Sequence, residues 1–263
     1  MAHIALEGAR DRPAIPSVNS ITLDHPWRWL EAGWQDLRRA PKFSLSYGAF
    51  FVLVSYFLTL GLFNGHMFFL IPPLAAGFFL VAPMLGVGLY QISRNNEQDQ
   101  EVHFCQAIEA WNSNPVHLSA MCVVLVFIML VWMLAANLVF VLFFTQPMPT
   151  WENFIPVVFL SGDNLAFLLA GTLSGALIAL FTFAISAITA PMLMDRQTDV
   201  MTAMRTSVRA VVQNWRPMLL WASLIAMFVG IGIVTFYVGL MVAMPLVGHA
   251  TWHAYRDLVP PQE

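Results

Sequence analysis

His249 and His253 stand four residues apart, so on a helix their imidazoles stack on one face, a spacing that can hold one metal ion or touch a haem. His117, with His103 and Cys105 on the segment before it, would add nitrogen and sulfur donors at the same depth. No third ligand has a diagnostic spacing, however. Interfacial histidines beside Trp111, Trp215 and Trp252 serve equally well as a hydrogen-bonding belt at a membrane surface. The expectation is therefore no metal and no resident cofactor, with a haem or metal at His249, His253 and His117 as the alternative. Glu97, Asp99 and Glu101, followed by Glu109, lack calcium-loop spacing and have no nucleophile beside them; they read as a solvated helix start. No Ser/His/Asp order, HExxH, Gly-rich phosphate loop or paired acidic motif is present at useful spacing, so the chain is not expected to be an enzyme. Asp195-Arg196 with Asp199, and Arg256-Asp257, are charge pairs just beyond apolar segments. They are expected to bridge across a rim and lock two helix pairs together, although exposed pairs are individually worth little.

The elements that position these groups are written in what is missing. Residues 43–93, 110–151, 164–194 and 217–255 contain no Asp, Glu, Lys or Arg, runs of 51, 42, 31 and 39 residues. About 20 apolar residues cross a ~30 Å hydrocarbon core. The chain is 59% hydrophobic and 10% charged, against roughly 25% charged in soluble domains, so a soluble core cannot hide its apolar surface. An all-α, polytopic helical membrane protein follows. Dividing the runs gives spans at 44–63, 68–92, 116–144, 165–194, 218–231 and 235–255. The last run is barely long enough for two crossings, with Gly230 and Gly232 as the expected turn, so five spans is the alternative to six.

The charges then set the orientation. Of twelve basic residues, six precede the first span, Arg94 follows the second, four lie between Asp195 and Pro217, and Arg256 closes the chain. The turn near His66 and the loop 145–163 have none. Six spans put every basic residue on one side, which predicts two cytoplasmic termini in a bacterial inner membrane. No secretory signal is visible in residues 1–42, and Cys105 and Cys122 are expected to stay reduced.

A module recurs along the chain: an amphipathic segment, an x-Pro step, then an apolar run. The steps are Ala40-Pro41, Asn114-Pro115 and Arg216-Pro217, where proline suits the first turn of a helix. The preceding segments carry helically spaced apolar residues: Trp27, Leu30, Trp34 and Leu37 in the first, Phe104, Ile108 and Trp111 in the second, and Met201, Met204, Val208 and Val211 in the third. Each is expected to lie on the membrane interface. A second proline, Pro83, Pro191 or Pro245, falls near the end of each returning helix. The expected architecture is three helix hairpins in one transmembrane domain, 26–258, between a disordered tail, 1–25, and a short tail, 259–263.

Several motifs, in order, are familiar: Gly33-Trp34-Gln35-Asp36-Leu37-Arg38-Arg39-Ala40-Pro41; Ala82-Pro83-Met84-Leu85-Gly86-Val87-Gly88-Leu89-Tyr90; Pro191-Met192-Leu193-Met194-Asp195-Arg196; and Gly248-His249-Ala250-Thr251-Trp252-His253-Ala254-Tyr255-Arg256-Asp257. Over residues 29–259 the chain resembles the bacterial predicted integral membrane proteins of domain of unknown function 2189. That resemblance implies a multi-span inner-membrane protein with no agreed activity. The expected role is non-catalytic: an accessory, scaffold or assembly factor for a membrane complex, such as a respiratory one, with the lipid bilayer and that complex as partners and no nucleic acid. The alternative is a transporter or channel for a small solute, without an intramembrane charge.

Overall fold

The computed structural model describes residues 16–103, 105–144 and 149–261. Twelve helices and no strand occur among them: α1 (His25–Arg39), α2 (Pro41–Asn64), α3 (Ile71–Leu85), α4 (Val87–Glu97), α5 (Gln106–Asn112), α6 (Pro115–Phe143), α7 (Trp151–Ile155), α8 (Leu165–Ser186), α9 (Thr189–Asp195), α10 (Val200–Gln213), α11 (Trp215–Val234) and α12 (Leu240–Leu258). Five helical stretches are long and apolar enough to cross a membrane: Pro41–Asn64, Phe68–Glu97, Pro115–Phe143, Leu165–Asp195 and Trp215–Val234. Their outer faces expose residues such as Phe57, Leu134 and Leu177, which water would not tolerate in such numbers but lipid does.

The sixth long helix, α12, is different in kind. Thirteen of its nineteen residues are buried. It packs on α1, α2, α4 and α11, so its polar residues face protein. It returns antiparallel to α11 through a tight turn, which excludes a single long helix over residues 217–255. The turn lies at residues 235–239, beyond the glycines expected to make it. Gly232 is a packing glycine, since a Cβ there would stand 2.5 Å from the Leu240 side chain. The reversal is instead made by Phe236 and Tyr237, both in the left-handed region (φ 53° and 67°). Such positions are strained for side-chain-bearing residues. α2 holds them in place: Tyr56 Oη donates to Phe236 O at 2.6 Å, and Thr59 Oγ1 lies 2.8 Å from Tyr237 Oη.

The helix pairs occur in the expected chain order, but the first is splayed. α2 packs chiefly against α12, and α3 packs against α6 and α8. The spans thus form two groups, α2 with α11 and α12, and α3 with α6 and α8. Phe51 and Phe78 touch across them, ring centroids 5.9 Å apart. The prolines end the returning helices differently. After Pro83 the chain bends at Gly86 into α4, and before Pro191 it breaks between α8 and α9, whereas Pro245 sits within an unbroken α12.

α1 and α10 occupy the expected rim positions, but the buried face is rotated away from part of the expected stripe. In α1 the buried residues are Trp29, Leu30, Gly33, Asp36 and Leu37, while Trp27 and Trp34 point outward, 54% and 45% exposed. The amphipathic pattern has two apolar sides, and α12 takes the one that carries Gly33, because only there can two backbones approach closely. α10 likewise packs inward through small residues, Thr202, Ala203, Thr206, Ser207 and Ala210, leaving Met201 outward.

Part of the segment expected to be a tail, 1–25, is held in place. Residues 1–15 lie outside the described residues, but residues 18–21 are tied down: Asn19 N donates to Leu258 O at 2.9 Å, and Asn214 Oδ1 accepts from Ile21 N at 2.9 Å. Val259, expected in the closing tail, is fully buried. The N-terminal segment and the end of α12 therefore meet at one end of the bundle, as an even number of crossings requires.

Candidate functional site

Nearly all the polar chemistry of the described residues gathers at that end. Its first part is a buried row. His249, inside α12, is fully buried, with Ser44 Oγ 2.9 Å from Nε2 and Ser93 Oγ 2.8 Å from Nδ1. Ser93 also hydrogen-bonds Asp36. Asp36 in turn accepts from Asn96 Nδ2 at 2.9 Å and faces His253 Nε2 at 2.7 Å. α1, α2, α4 and α12 each supply a member. A row of Ser44, His249, Ser93 and Asp36 has the residue types of a nucleophilic triad, but Ser44 is fully buried, so its hydroxyl reaches no substrate. Nothing in the sequence marks this row, because Ser44 and Ser93 look like ordinary residues of an apolar run and only the fold brings α2 and α4 to α12.

Burial pushes the Asp36 carboxyl up, but hydrogen bonds from His253, Ser93 and Asn96, with the charge on His253, outweigh it and hold the group below its ordinary value of 3.8. A carboxyl depressed in the folded state contributes stability that is present above its unfolded value and lost as pH falls through the folded one. Acidification below 3.8 is thus expected to loosen α1 from α12, an effect absent in Asp36→Asn. Thermal unfolding of the detergent-solubilised protein between pH 3 and 7 reads this out; identical low-pH slopes in the two proteins would exclude it.

The second part is a charge network at the end of the three returning helices. Asp195, closing α9, lies 3.7 Å from Arg94 Nε, 3.9 Å from Arg196 Nε and 3.9 Å from Arg256 Nη1, and accepts from Tyr255 Oη at 2.7 Å. Arg196 is buried and donates through Nε to Tyr255 Oη at 2.6 Å and through Nη2 to Pro260 O at 2.5 Å. Glu97, expected to be merely solvated, accepts from Trp252 Nε1 at 3.1 Å and pairs with Arg256 Nη2 at 3.0 Å. Asp257 accepts from Trp29 Nε1 at 2.6 Å, joining α1 to α12. Asp199, expected to act with Asp195, instead caps α10. The Thr202 hydroxyl and amide bind its carboxylate and hold it below the usual range.

His249 and His253 do share a face, but each ring is turned to its own partners. Both nitrogens of His249 are engaged by serines, and His253 is taken by Asp36. His117 is half-buried on α6, and His103 and Cys105 are exposed. Among the described residues no three His, Cys, Asp or Glu side chains come together at a metal-holding distance. The arrangement pins α1, α4, α9 and α12 to one another, and through them the two groups of spans.

Fold and rim together define an all-helical integral membrane protein whose polar residues cluster at one end. The chain matches, over residues 70–195, the model of a family described as predicted integral membrane protein (DUF2189), as the sequence resemblance implied. No curated protein and no solved structure matches it.

Proposed function

We propose that this integral membrane protein works without catalysis, as an accessory, scaffold or assembly factor for a membrane complex, such as a respiratory one, in the bacterial inner membrane with both termini cytoplasmic. One observation carries the reading: the groups able to do chemistry, Asp36, Ser44, Glu97, Asp195, His249 and His253, are bound to one another or to arginines at a single rim. The apolar outside of the spans remains free for contact with other molecules. The cytoplasmic orientation draws on the described basic residues, which follow or precede spans at this rim, while the described parts of the opposite turns carry none. Passage of a small uncharged solute, the second reading, draws on the repeated helix hairpins and on the breaks in the spans near Pro83 and Pro191.

Purification from native membranes in mild detergent tests the role. The chain is expected to migrate well above its own 29.4 kDa with a second membrane protein in fixed ratio, and cells lacking the chain should assemble less of that complex. A protein that migrates alone, with normal complexes in its absence, overturns the accessory reading and favours the solute path. A haem band in the visible spectrum would overturn the cofactor-free one. Reporter fusions at both ends should read cytoplasmic; a C-terminal fusion outside would reject the six-crossing arrangement.

A further inference from the structure

The gap between the two span groups is a cavity of about 460 Å³ bounded by α3, α4, α6, α8, α11 and α12. Small residues carve it, Ala176 and Ala179 on α8 and Ala222 and Ala226 on α11, and Phe79 and Trp132 also line it. Ala176, Ala179 and Ala226 are solvent-exposed in the bare chain and lie in mid-helix, so the hollow opens sideways at the depth of the hydrocarbon core.

Its occupant can be narrowed by elimination. Five hydroxyl side chains line the cavity, and four already spend their single O–H on a backbone carbonyl. Tyr90 donates to Pro83 O, Thr182 to Ile178 O, Ser186 to Thr182 O and Thr251 to Val247 O, leaving Thr172. A buried water needs two to four polar partners and apolar cavities stay dry, so a lining this apolar favours a hydrocarbon occupant over water. A partner helix is too large: a cylinder ~10 Å wide and ~30 Å long occupies roughly 2,400 Å³. At ~30 Å³ for each water-sized group, the cavity takes about 15 such groups, the bulk of one long hydrocarbon chain. No charged side chain lines it, so a polar head has no partner inside and stays outside the wall.

We propose that this cavity is a binding site for the hydrocarbon tail of one membrane lipid, entering sideways between α8 and α11. The tail fills the space that the alanines leave and closes the seam between the two groups of spans. Burial of apolar surface on both sides supplies packing that lipid moving freely past the outer faces does not receive. An acyl chain and an isoprenoid chain share this chemistry. The proposal is independent of the accessory role.

Native mass spectrometry of the full-length protein, released from mild detergent, tests it. The unmodified chain is expected to carry one lipid mass in a 1:1 ratio through repeated detergent exchange, and extraction of that species distinguishes phospholipid acyl chains from isoprenoid tails. Ala176→Phe with Ala226→Phe, which fills the hollow, should cut the retained lipid at least tenfold, and the milder Ala176→Val severalfold. Leu134→Phe, on the outer face of α6 where Leu134 is 72% exposed, should leave it unchanged. Equal retention in the filled and unmodified proteins, or no retained lipid in the unmodified protein, overturns the site. Should the double variant fail to fold, Ala176→Val and the unmodified protein still decide the question.

Discussion

Replacing Gly48 with leucine is expected to lower the stability of the protein by about 3 kcal/mol or more, at the upper end of what overpacking costs. A Cβ at this position would stand 2.1 Å from Met241 O and 2.7 Å from Met241 C, so backbone meets backbone and no flexible side chain can yield. The position is more than a tight spot. Pro245, four residues after Met241, has no N–H to give to the Met241 carbonyl. Gly48 lays its bare Cα over that carbonyl, where only a hydrogen fits and a weak C–H···O contact is available. Gly33 plays the same part between α1 and α12: a Cβ there would stand 2.7 Å from Ala250 N and 2.9 Å from Leu246 O, so Gly33→Leu should act in the same direction. Gly61, on the same helix as Gly48, has nothing within 4 Å of its Cβ direction, and Gly61→Leu is the matched control. For a chain of this size a 3 kcal/mol loss corresponds to a drop of roughly 6–12 °C in the unfolding temperature. If Gly48→Leu and Gly61→Leu melt together, the close approach of α2 to α12 is wrong.

The second large effect is expected from Arg196→Ala, a loss of about 3 kcal/mol, the lower end of the range for breaking a buried ion pair. The guanidinium is 6% exposed and holds Tyr255 Oη, Pro260 O and, at 3.4 Å, Val259 O, so its removal strips partners from α12 and the segment after it. The lower end applies because Asp195 keeps Arg94 and Arg256 nearby, both about a third exposed and so screened. Arg196→Lys keeps the charge but not the planar fork, and should recover only part of the loss. The local signature is the C-terminal segment: in Arg196→Ala, limited proteolysis should cut after residue 255 well before the spans are attacked. Arg205, exposed on α10, supplies the control, and an Arg196→Ala protein as stable and as resistant as Arg205→Ala would remove Arg196 from the network.

Several of these residues are visible in the sequence for reasons that survive folding. Prolines 41 and 115 open α2 and α6 where a missing N–H does no harm, and Asp195, Arg196, Arg256 and Asp257 follow apolar runs that must end at a surface. The turn between α11 and α12 departs from expectation because glycine serves both reversal and close approach. Gly232 does the second, while Phe236 and Tyr237 accept left-handed backbone because α2 hydrogen-bonds the turn. The faces of α1 and α10 depart from it for a related reason. Spacing shows that a helix has an apolar stripe, but packing density decides which stripe meets protein, and there small residues win over large ones.

The sequence by itself determined the membrane: uncharged runs of this length fix helical spans, and the distribution of arginines gathers the charged ends together. It could do so because both signals are local, summed over some twenty consecutive residues against a solvent that does not depend on the fold. Only the tertiary structure decided that α12, polar enough to miss the composition of a span, is the central helix; that Ser44, Ser93, Asp36 and His249 form one row; and that the spans part into two groups around a hollow. Those facts rest on pairings between residues far apart in the chain, Ser44 with His249 and Asp36 with His253, and such pairings leave no periodic trace in the order of the amino acids.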